Sequence, residues 1–210
     1  VLGPHSSALR EHLEESTAET SLLAIEFATQ TTPRGTADAL LAAEPLVGAE
    51  PFLMINGDNL YAAAALAELA AAKRPALLAL DRARVLADGR SNLTSEKISR
   101  FARIERDAQG FLAEIVEKPA PEVYAELVAR ATATGEPYLA AVNAFRFESE
   151  IFAACRTVKP SPRGELELPS AVEDLIARGT SFQVIVSSEP FLDLTDRADV
   201  PDLEARLAAP

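Results

Sequence analysis

Phe52-Leu-Met-Ile55 is an unbroken apolar run cut off by Asn56 and Gly57 and followed at once by an acid, Asp58. A run without polar alternation predicts a strand covered on both faces, the pattern of parallel α/β sheets, and predicts that this strand is central. In open α/β sheets ligands occupy the crevice beyond the carboxyl ends of the strands. Asp58 falls at that position, where a carboxylate is a hard oxygen ligand suited to Mg²⁺ in front of bound phosphates. The competing reading is a polar turn entering a helix, with Asp58 or Asn59 as its N-cap. The local residues leave both open.

The remainder of the chain arranges itself around that edge. Val1 to Pro4 reads as the end of a strand, Ser6 to Glu15 as a helix and Ser21 to Gln30 as a further strand. Pro33 and Gly35 punctuate a loop, after which Thr36 caps a helix from Ala37 to Leu46. An Ala-rich helix, Ala62 to Lys73, links the central strand to the apolar strand Ala76 to Leu80. Crossovers in succession of this kind predict a doubly wound parallel sheet. Asp81 to Lys97 is polar and reads as a loop or flap. Ile98 to Arg106 and Phe111 to Val116 then flank Asp107-Ala-Gln-Gly110, a hairpin signal that makes the sheet mixed. A helix over Pro121 to Ala133 precedes a strand, Tyr138 to Phe147, that carries Asn143 in its middle. Such a polar side chain needs a partner in the fold or a ligand. Helix 148–156, a breaker-rich loop 159–164, helix 168–178, strand 182–187, Phe191 to Leu194 and a helix over 199–207 complete the order.

A chain of 210 residues supports one substantial core, and no linker or repeat marks a second domain. The net charge of −12, with Lys and Arg scattered, argues against a protein that lives on nucleic acid or an anionic membrane. A single cysteine, Cys155, excludes an internal disulfide framework and a Cys-rich zinc site. No apolar run approaches the roughly twenty residues that span a bilayer, and no signal peptide opens the chain, so the expected setting is the cytoplasm. There is no G-x-x-x-x-G-K-[ST], G-x-G-x-x-G or G-x-S-x-G, and neither His5 nor His12 has a spaced partner for zinc.

What remains is an ordered set of fragments: Gln30-Thr-Thr-Pro-Arg-Gly-Thr-Ala37, Ile55-Asn-Gly-Asp-Asn59, Phe101-Ala-Arg-Ile-Glu-Arg-Asp107 with Gly110, Val116-Glu-Lys-Pro119, Ala141-Val-Asn143, Arg163-Gly-Glu-Leu-Glu167 and Phe191-Leu-Asp-Leu-Thr195. In order and spacing, from about Val1 to Leu207, this set resembles the sugar-1-phosphate nucleotidyltransferases. Glucose-1-phosphate thymidylyl- and uridylyltransferases look closest. The resemblance implies a Rossmann-like mixed, mostly parallel sheet flanked by helices. It implies that a sugar-1-phosphate oxygen attacks the α-phosphate of a nucleoside triphosphate and expels pyrophosphate.

Carried over by position, Asp58 and Asp193 resemble the paired carboxylates that hold Mg²⁺ against the α-phosphate. This suits a chemistry that asks the protein for positioning and charge neutralisation. Gln30 resembles the base-reading glutamine, Gly35 the point where the backbone nears base and ribose, and Thr36 belongs to the same nucleotide-binding segment. Glu117 and Asn143 match ligands of the sugar hydroxyls. Lys118 and Arg163 match the cations on the sugar phosphate, where a guanidinium fork fits the phosphate oxygens. Glu165 matches a neighbouring acid that orients the sugar or the arginine.

The chain also departs from the family. Members begin with a strand and a Gly-rich loop of the type G-x-G-T-R that cradles the triphosphate. Nothing of that kind precedes Val1, so the first strand, the loop and its helix are expected to be missing from this sequence. Ala102 and Ala144 stand where the family commonly has glycine. The rival readings are a non-catalytic nucleotide-sugar-binding or regulatory homologue and a GT-A-like glycosyltransferase. Partners are expected to be a nucleoside triphosphate and a sugar-1-phosphate, with a homo-oligomer left open.

Overall fold

The computed structural model describes residues 1–18 and 24–208. These fall into two compact units, Val1–Glu50 with Glu148–Leu175, and Pro51–Phe147 with Ile176–Pro210.

The first unit is mainly helical. Its elements are α1 (Ser7–Ala18), α2 (Thr36–Val47), α7 (Glu150–Cys155) and most of α8 (Leu168–Ala177). α2 packs on α7, and Glu44 of α2 pairs with Arg156 just beyond α7. Ala37, Leu40, Ile151, Phe152, Ala154, Leu168, Ala171 and Val172 are buried. The strands expected at Val1–Pro4 and Ser21–Gln30 reduce to one parallel bridge between Leu2 and Thr29. Leu2 donates to the Ala28 carbonyl and Gln30 to the Leu2 carbonyl, both at 2.8 Å. Residues 19–23 of the second expected strand lie outside the described residues. Thr36 does not cap α2 but begins it. Gly35 takes the N-cap position, and the Thr36 hydroxyl oxygen accepts the Leu168 N–H at 2.9 Å.

The second unit holds the sheet. Its strands are β1 (Phe52–Ile55), β3 (Ala76–Asp81), β4 (Ala102–Arg106), β5 (Leu112–Val116), β6 (Leu139–Phe147) and β7 (Gln183–Ser187). The order is β5-β4-β6-β3-β7, with β1 also on β6. β1, β3, β4 and β7 run the same way while β5 and β6 oppose them, so the sheet is mixed and β3–β7 is its parallel ladder. The expected crossover β1–α3–β3, with α3 at Ala63–Ala71, is present, but antiparallel β6 lies between its two strands. A second small ribbon pairs β2 (Asn59–Tyr61) with β8 (Phe191–Asp193).

β1 does not have the doubly covered place expected of it. Among the described residues it pairs with β6 alone, and its burial alternates, leaving Leu53 at 38% and Ile55 at 47% exposure. Four apolar residues in a row cannot by themselves separate a half-covered strand from a buried one. The strand buried on both faces is β3, whose Ala76 to Leu80 are all inaccessible. Its neighbours Leu69, Tyr138, Ala140, Val142, Ile185 and Phe191 belong to the same apolar core.

The stretch expected as a loop, Asp81 to Lys97, contains two short helices. α4 (Arg82–Asp88) is capped by the Asp81 carboxylate, which accepts from Ala83 and Arg84, and stops at Gly89 with φ 65°. α5 (Ser95–Ser99) starts at Thr94, whose hydroxyl accepts the Lys97 N–H at 3.2 Å. The hairpin turn at Asp107–Gly110 is as expected. The Asp107 side chain accepts the N–H groups of Gln109 and Phe111, an Asx-type closure, and Gly110 takes φ 86°. α6 (Pro121–Thr134), a short 3-10 turn (Arg197–Asp199) and α9 (Val200–Ala208) complete the unit. No helix among the described residues is long and apolar enough to cross a membrane.

Candidate active site

The β2–β8 ribbon brings the backbones of Asp58 and Asp193 side by side. Asn59 lies directly opposite Asp193, and the Asp58 carbonyl accepts the Leu194 N–H at 2.9 Å. The two acids therefore sit one residue apart in register on paired segments. Asn59 begins a strand rather than capping a helix, which removes the N-cap reading of this turn. Asp58 is exposed in its turn, whereas Asp193 is buried to 6% exposure.

Asp193 is held from every side. Asn59 donates to its Oδ1 at 2.8 Å, the Thr195 hydroxyl donates to its Oδ2, and the Lys97 ammonium lies 3.6 Å from Oδ2. Its backbone is fixed too. Asn92 Nδ2 donates to its carbonyl at 2.7 Å and Asn92 Oδ1 accepts its N–H at 2.8 Å. Lys97 also reaches the Asp193 carbonyl at 3.1 Å and pairs with Asp199 at 2.8 Å. The carboxyl of Asp199 is held below the usual carboxylate range, first by the Lys97 hydrogen bond and then by the Asp196 backbone, against the opposing effect of burial.

Among the described residues no group of three or more His, Cys, Asp or Glu side chains is placed to hold a metal ion. Asp58, in the turn before β2, and Asp193, at the end of β8, are oxygen donors alone, the ligand type that a hard divalent cation takes together with phosphate oxygens and water.

Two of the residues that the resemblance assigns to the sugar-1-phosphate share a backbone signature. Lys118 has φ 44° and Asn143 φ 52°, and among the described residues these are the non-glycine positions with positive φ. Such conformations are uncommon for residues with a Cβ and concentrate at ligand sites. For Lys118 the cost is higher, because Pro119 follows it and restricts its backbone further. Lys118 is half exposed, with its ammonium 3.9 Å from Glu117. A separate cleft of about 810 Å³, between the β4–β5 hairpin and α6, is lined by none of the residues expected at the site. Two of its arginines are engaged with acids, Arg103 with Glu105 and Glu114 and Arg130 with Glu105.

In the first unit the Gln30 amide is oriented from within. Its Nε2 donates to the Asp38 carboxylate at 2.8 Å and to the Gly35 carbonyl at 3.1 Å. Both amide hydrogens are thereby committed, and Oε1 is left as an acceptor. Burial disfavours the charge on Asp38, but the hydrogen bonds from Gln30 and Arg34 and the guanidinium charge outweigh it, holding its pKa below the usual value. Gly35 has a structural reason of its own. At φ 123° an added Cβ would stand 2.5 Å from the Leu166 carbonyl oxygen, in a segment where Leu166 bonds to Arg34 and Ala37. Arg163 pairs with Glu167 at 2.8 Å. Glu165 is exposed, and its carbonyl accepts the Ser161 N–H.

Sequence reasoning passed over Asn92, Lys97 and Tyr61. Thr94, a residue type that caps helices, was the available signal for α5 inside the stretch expected to be a loop, and the three residues of β2 are too few to show a period.

A family model described as nucleotidyl transferase matches residues 2–194. The chain is 29% identical over 197 residues to a glucose-1-phosphate thymidylyltransferase of Streptomyces antibioticus, covering 88% of this chain and 48% of that protein. It is 28% identical over 207 residues to the UTP–glucose-1-phosphate uridylyltransferase AglF of Haloferax volcanii, covering 99% of this chain and 75% of that one. A thymidylyltransferase of an Actinoplanes species, at 28%, is covered to 52%, so the chain spans about half the length of the thymidylyltransferases it matches. In fold it resembles a crystal structure of UDP-glucose pyrophosphorylase complexed with UDP-glucose, with a TM-score of 0.63 at 17% identity over 92% of this chain and 70% of that chain. It likewise resembles a putative glucose-1-phosphate thymidylyltransferase from Bacillus anthracis, with a TM-score of 0.65 at 20% identity over 93% and 72% of the two chains. With a match over almost its whole length, the chain belongs to the nucleotidyl transferase family.

Proposed function

We propose that residues 1–210 form one catalytic domain of a cytoplasmic enzyme that transfers a nucleotidyl group from a nucleoside triphosphate to a sugar-1-phosphate. The phosphate oxygen of the sugar forms a bond to the α-phosphorus, the α–β bridging P–O bond breaks, and pyrophosphate leaves with that electron pair. The observation that carries this reading is the register of the β2–β8 ribbon, which sets Asn59 against Asp193 and joins Asp58 to Leu194.

Asp58 and Asp193 would hold Mg²⁺, which when bound neutralises charge on the phosphates. Asn59 and Thr195 fix the Asp193 carboxylate in advance, so little reorganisation is left for the reaction itself. Gln30 presents Oε1 to a ring N–H, a donor that thymine and uracil both have. Gly35 and Thr36 complete the nucleotide segment. By the resemblance, Lys118 and Arg163 are assigned to the sugar phosphate, Glu117 and Asn143 to the sugar hydroxyls, and Glu165 to orienting the sugar or the arginine. Support for the substrate class comes from the relatives named for glucose 1-phosphate with thymidylyl or uridylyl transfer.

The test is pyrophosphate release by the intact protein given glucose 1-phosphate with dTTP or UTP and Mg²⁺. Asp58→Asn and Asp193→Asn should each reduce turnover by at least about 100-fold. Each should also abolish the rise in melting temperature that Mn²⁺ with nucleotide gives the wild type. Wild-type turnover that persists undiminished in excess EDTA would overturn the metal assignment. Absence of turnover with every sugar phosphate offered would overturn the enzymatic reading.

A further inference from the structure

β6 is interrupted in its middle. Leu77 faces Phe145 and Ala79 faces Ala141, so four residue steps on β6 answer two on β3, and Asn143 lies inside the surplus. A bulge of this kind takes backbone groups out of the ladder, and buried carbonyls then need another donor. The Tyr61 hydroxyl is that donor. It lies 2.7 Å from the Val142 carbonyl and 3.2 Å from that of Asn143. The same oxygen accepts the Asn56 N–H at 3.4 Å and lies 3.2 Å from Asn59 Oδ1. Asn59 in turn donates to Asp193. One phenol therefore touches both the bulge that turns Asn143 and the arm that orients Asp193. Its ring packs edge-on to Phe191 at 5.3 Å, and burial raises its pKa far above the ordinary phenol value, so the hydroxyl keeps its proton.

We propose that the Tyr61 hydroxyl is a positioning group for the sugar half of the site, locking the β6 bulge so that Asn143 keeps its left-handed backbone in one frame with Asp193. The proposal rests on the reading of Asn143 as a ligand of the sugar hydroxyls. A phenylalanine at position 61 preserves the ring and its contact with Phe191 but leaves the Val142 carbonyl without its donor.

The experiment is a double-mutant cycle on the intact protein with Tyr61→Phe, Asn143→Ala and the double variant. Pyrophosphate release is measured with glucose 1-phosphate and whichever of dTTP and UTP the wild type uses. Tyr61→Phe should raise the glucose 1-phosphate KM about tenfold, the scale of one buried hydrogen bond left unmade, while kcat and the nucleotide KM move by less than about twofold. In the Asn143→Ala background the same change should have little further effect, because the group it acts through is gone. Calorimetric titration with UDP-glucose reads the affinity of the folded fraction through its stoichiometry, so incomplete folding of a variant does not obscure the result. An equal effect of Tyr61→Phe in both backgrounds, or equal losses in both KM values and kcat, overturns the positioning role while leaving the sugar site intact. An unchanged glucose 1-phosphate KM in Asn143→Ala alone overturns the sugar-site reading, and this inference with it.

Discussion

Asn92 grips Asp193 by both faces of its peptide backbone, donating to the carbonyl at 2.7 Å and accepting from the N–H at 2.8 Å. Two complementary bonds from one planar amide fix a segment more tightly than either alone. Without Asn92 the Asp193 N–H loses the partner its side chain supplies, while the carbonyl keeps Lys97 at 3.1 Å. Asn92→Ala should therefore lower unfolding stability by about 1–3 kcal/mol and reduce kcat more than either KM. Asn92→Asp keeps the acceptor and loses the donor, and should fall between the two. Urea melts with steady-state kinetics check both, and an Asn92→Ala protein with wild-type kcat would show that Asp193 holds its place unaided.

Lys97 should make the fold acid-sensitive in a specific sense. The Asp199 carboxyl has a folded pKa below its unfolded one, so its contribution to stability is complete above the ordinary carboxylate value of about 4 and is lost as pH falls through the lower folded value. Replacing the ammonium in Lys97→Met removes the main cause of that depression. The stability gap between wild type and Lys97→Met should be widest near pH 6 and narrow toward pH 3, as read by urea midpoints at both pH values. A gap independent of pH would mean that Lys97 contributes through packing and not through charge.

Gly35→Ala places a methyl group 2.5 Å from the Leu166 carbonyl oxygen at a φ that L residues avoid. With backbone on both sides, neither can yield cheaply. The expected loss is about 3 kcal/mol or more, the range of overpacked and strained sites, with the helical unit melting first in hydrogen exchange. Protection in α2 and α8 equal to wild type would argue that the loop carrying Gly35 simply moves aside.

β1 pairs along one edge with β6 among the described residues, and its Leu53 and Ile55 are exposed. An apolar strand edge is a template for further pairing. A polypeptide of these 210 residues should self-associate at micromolar concentration, and Leu53→Lys should return it toward monomer in sedimentation velocity. Association undiminished by that lysine would place the contact elsewhere.

The elements best read from the sequence were those whose signals are local. Asp107-Ala-Gln-Gly110 specifies its own turn, and Pro121 and Gly135 bracket α6 with the residues that start and stop helices. β1 was placed wrongly because the coverage of a strand depends on which neighbours it finds, and its own four residues carry no record of them. α4 and α5 were overlooked because helices of seven and five residues leave too few apolar positions to reveal a period. The flanking motifs of Asp58 and Asp193 point to both acids, whereas nothing near Asn92 or Lys97 points to their contacts with Asp193. They reach Asp193 across about a hundred positions of chain, and their own neighbourhood resembles any polar connection.

On the proposed reading, Lys118 and Asn143 set stability and activity against each other. At φ 44° and 52° a glycine would sit without strain, so replacing either residue by glycine relieves the backbone while deleting the side chain. In a library selected only for folding, glycine should accumulate at these two positions. Under selection for turnover it should disappear from them. A chain that keeps lysine and asparagine there holds conformations its fold alone would discard.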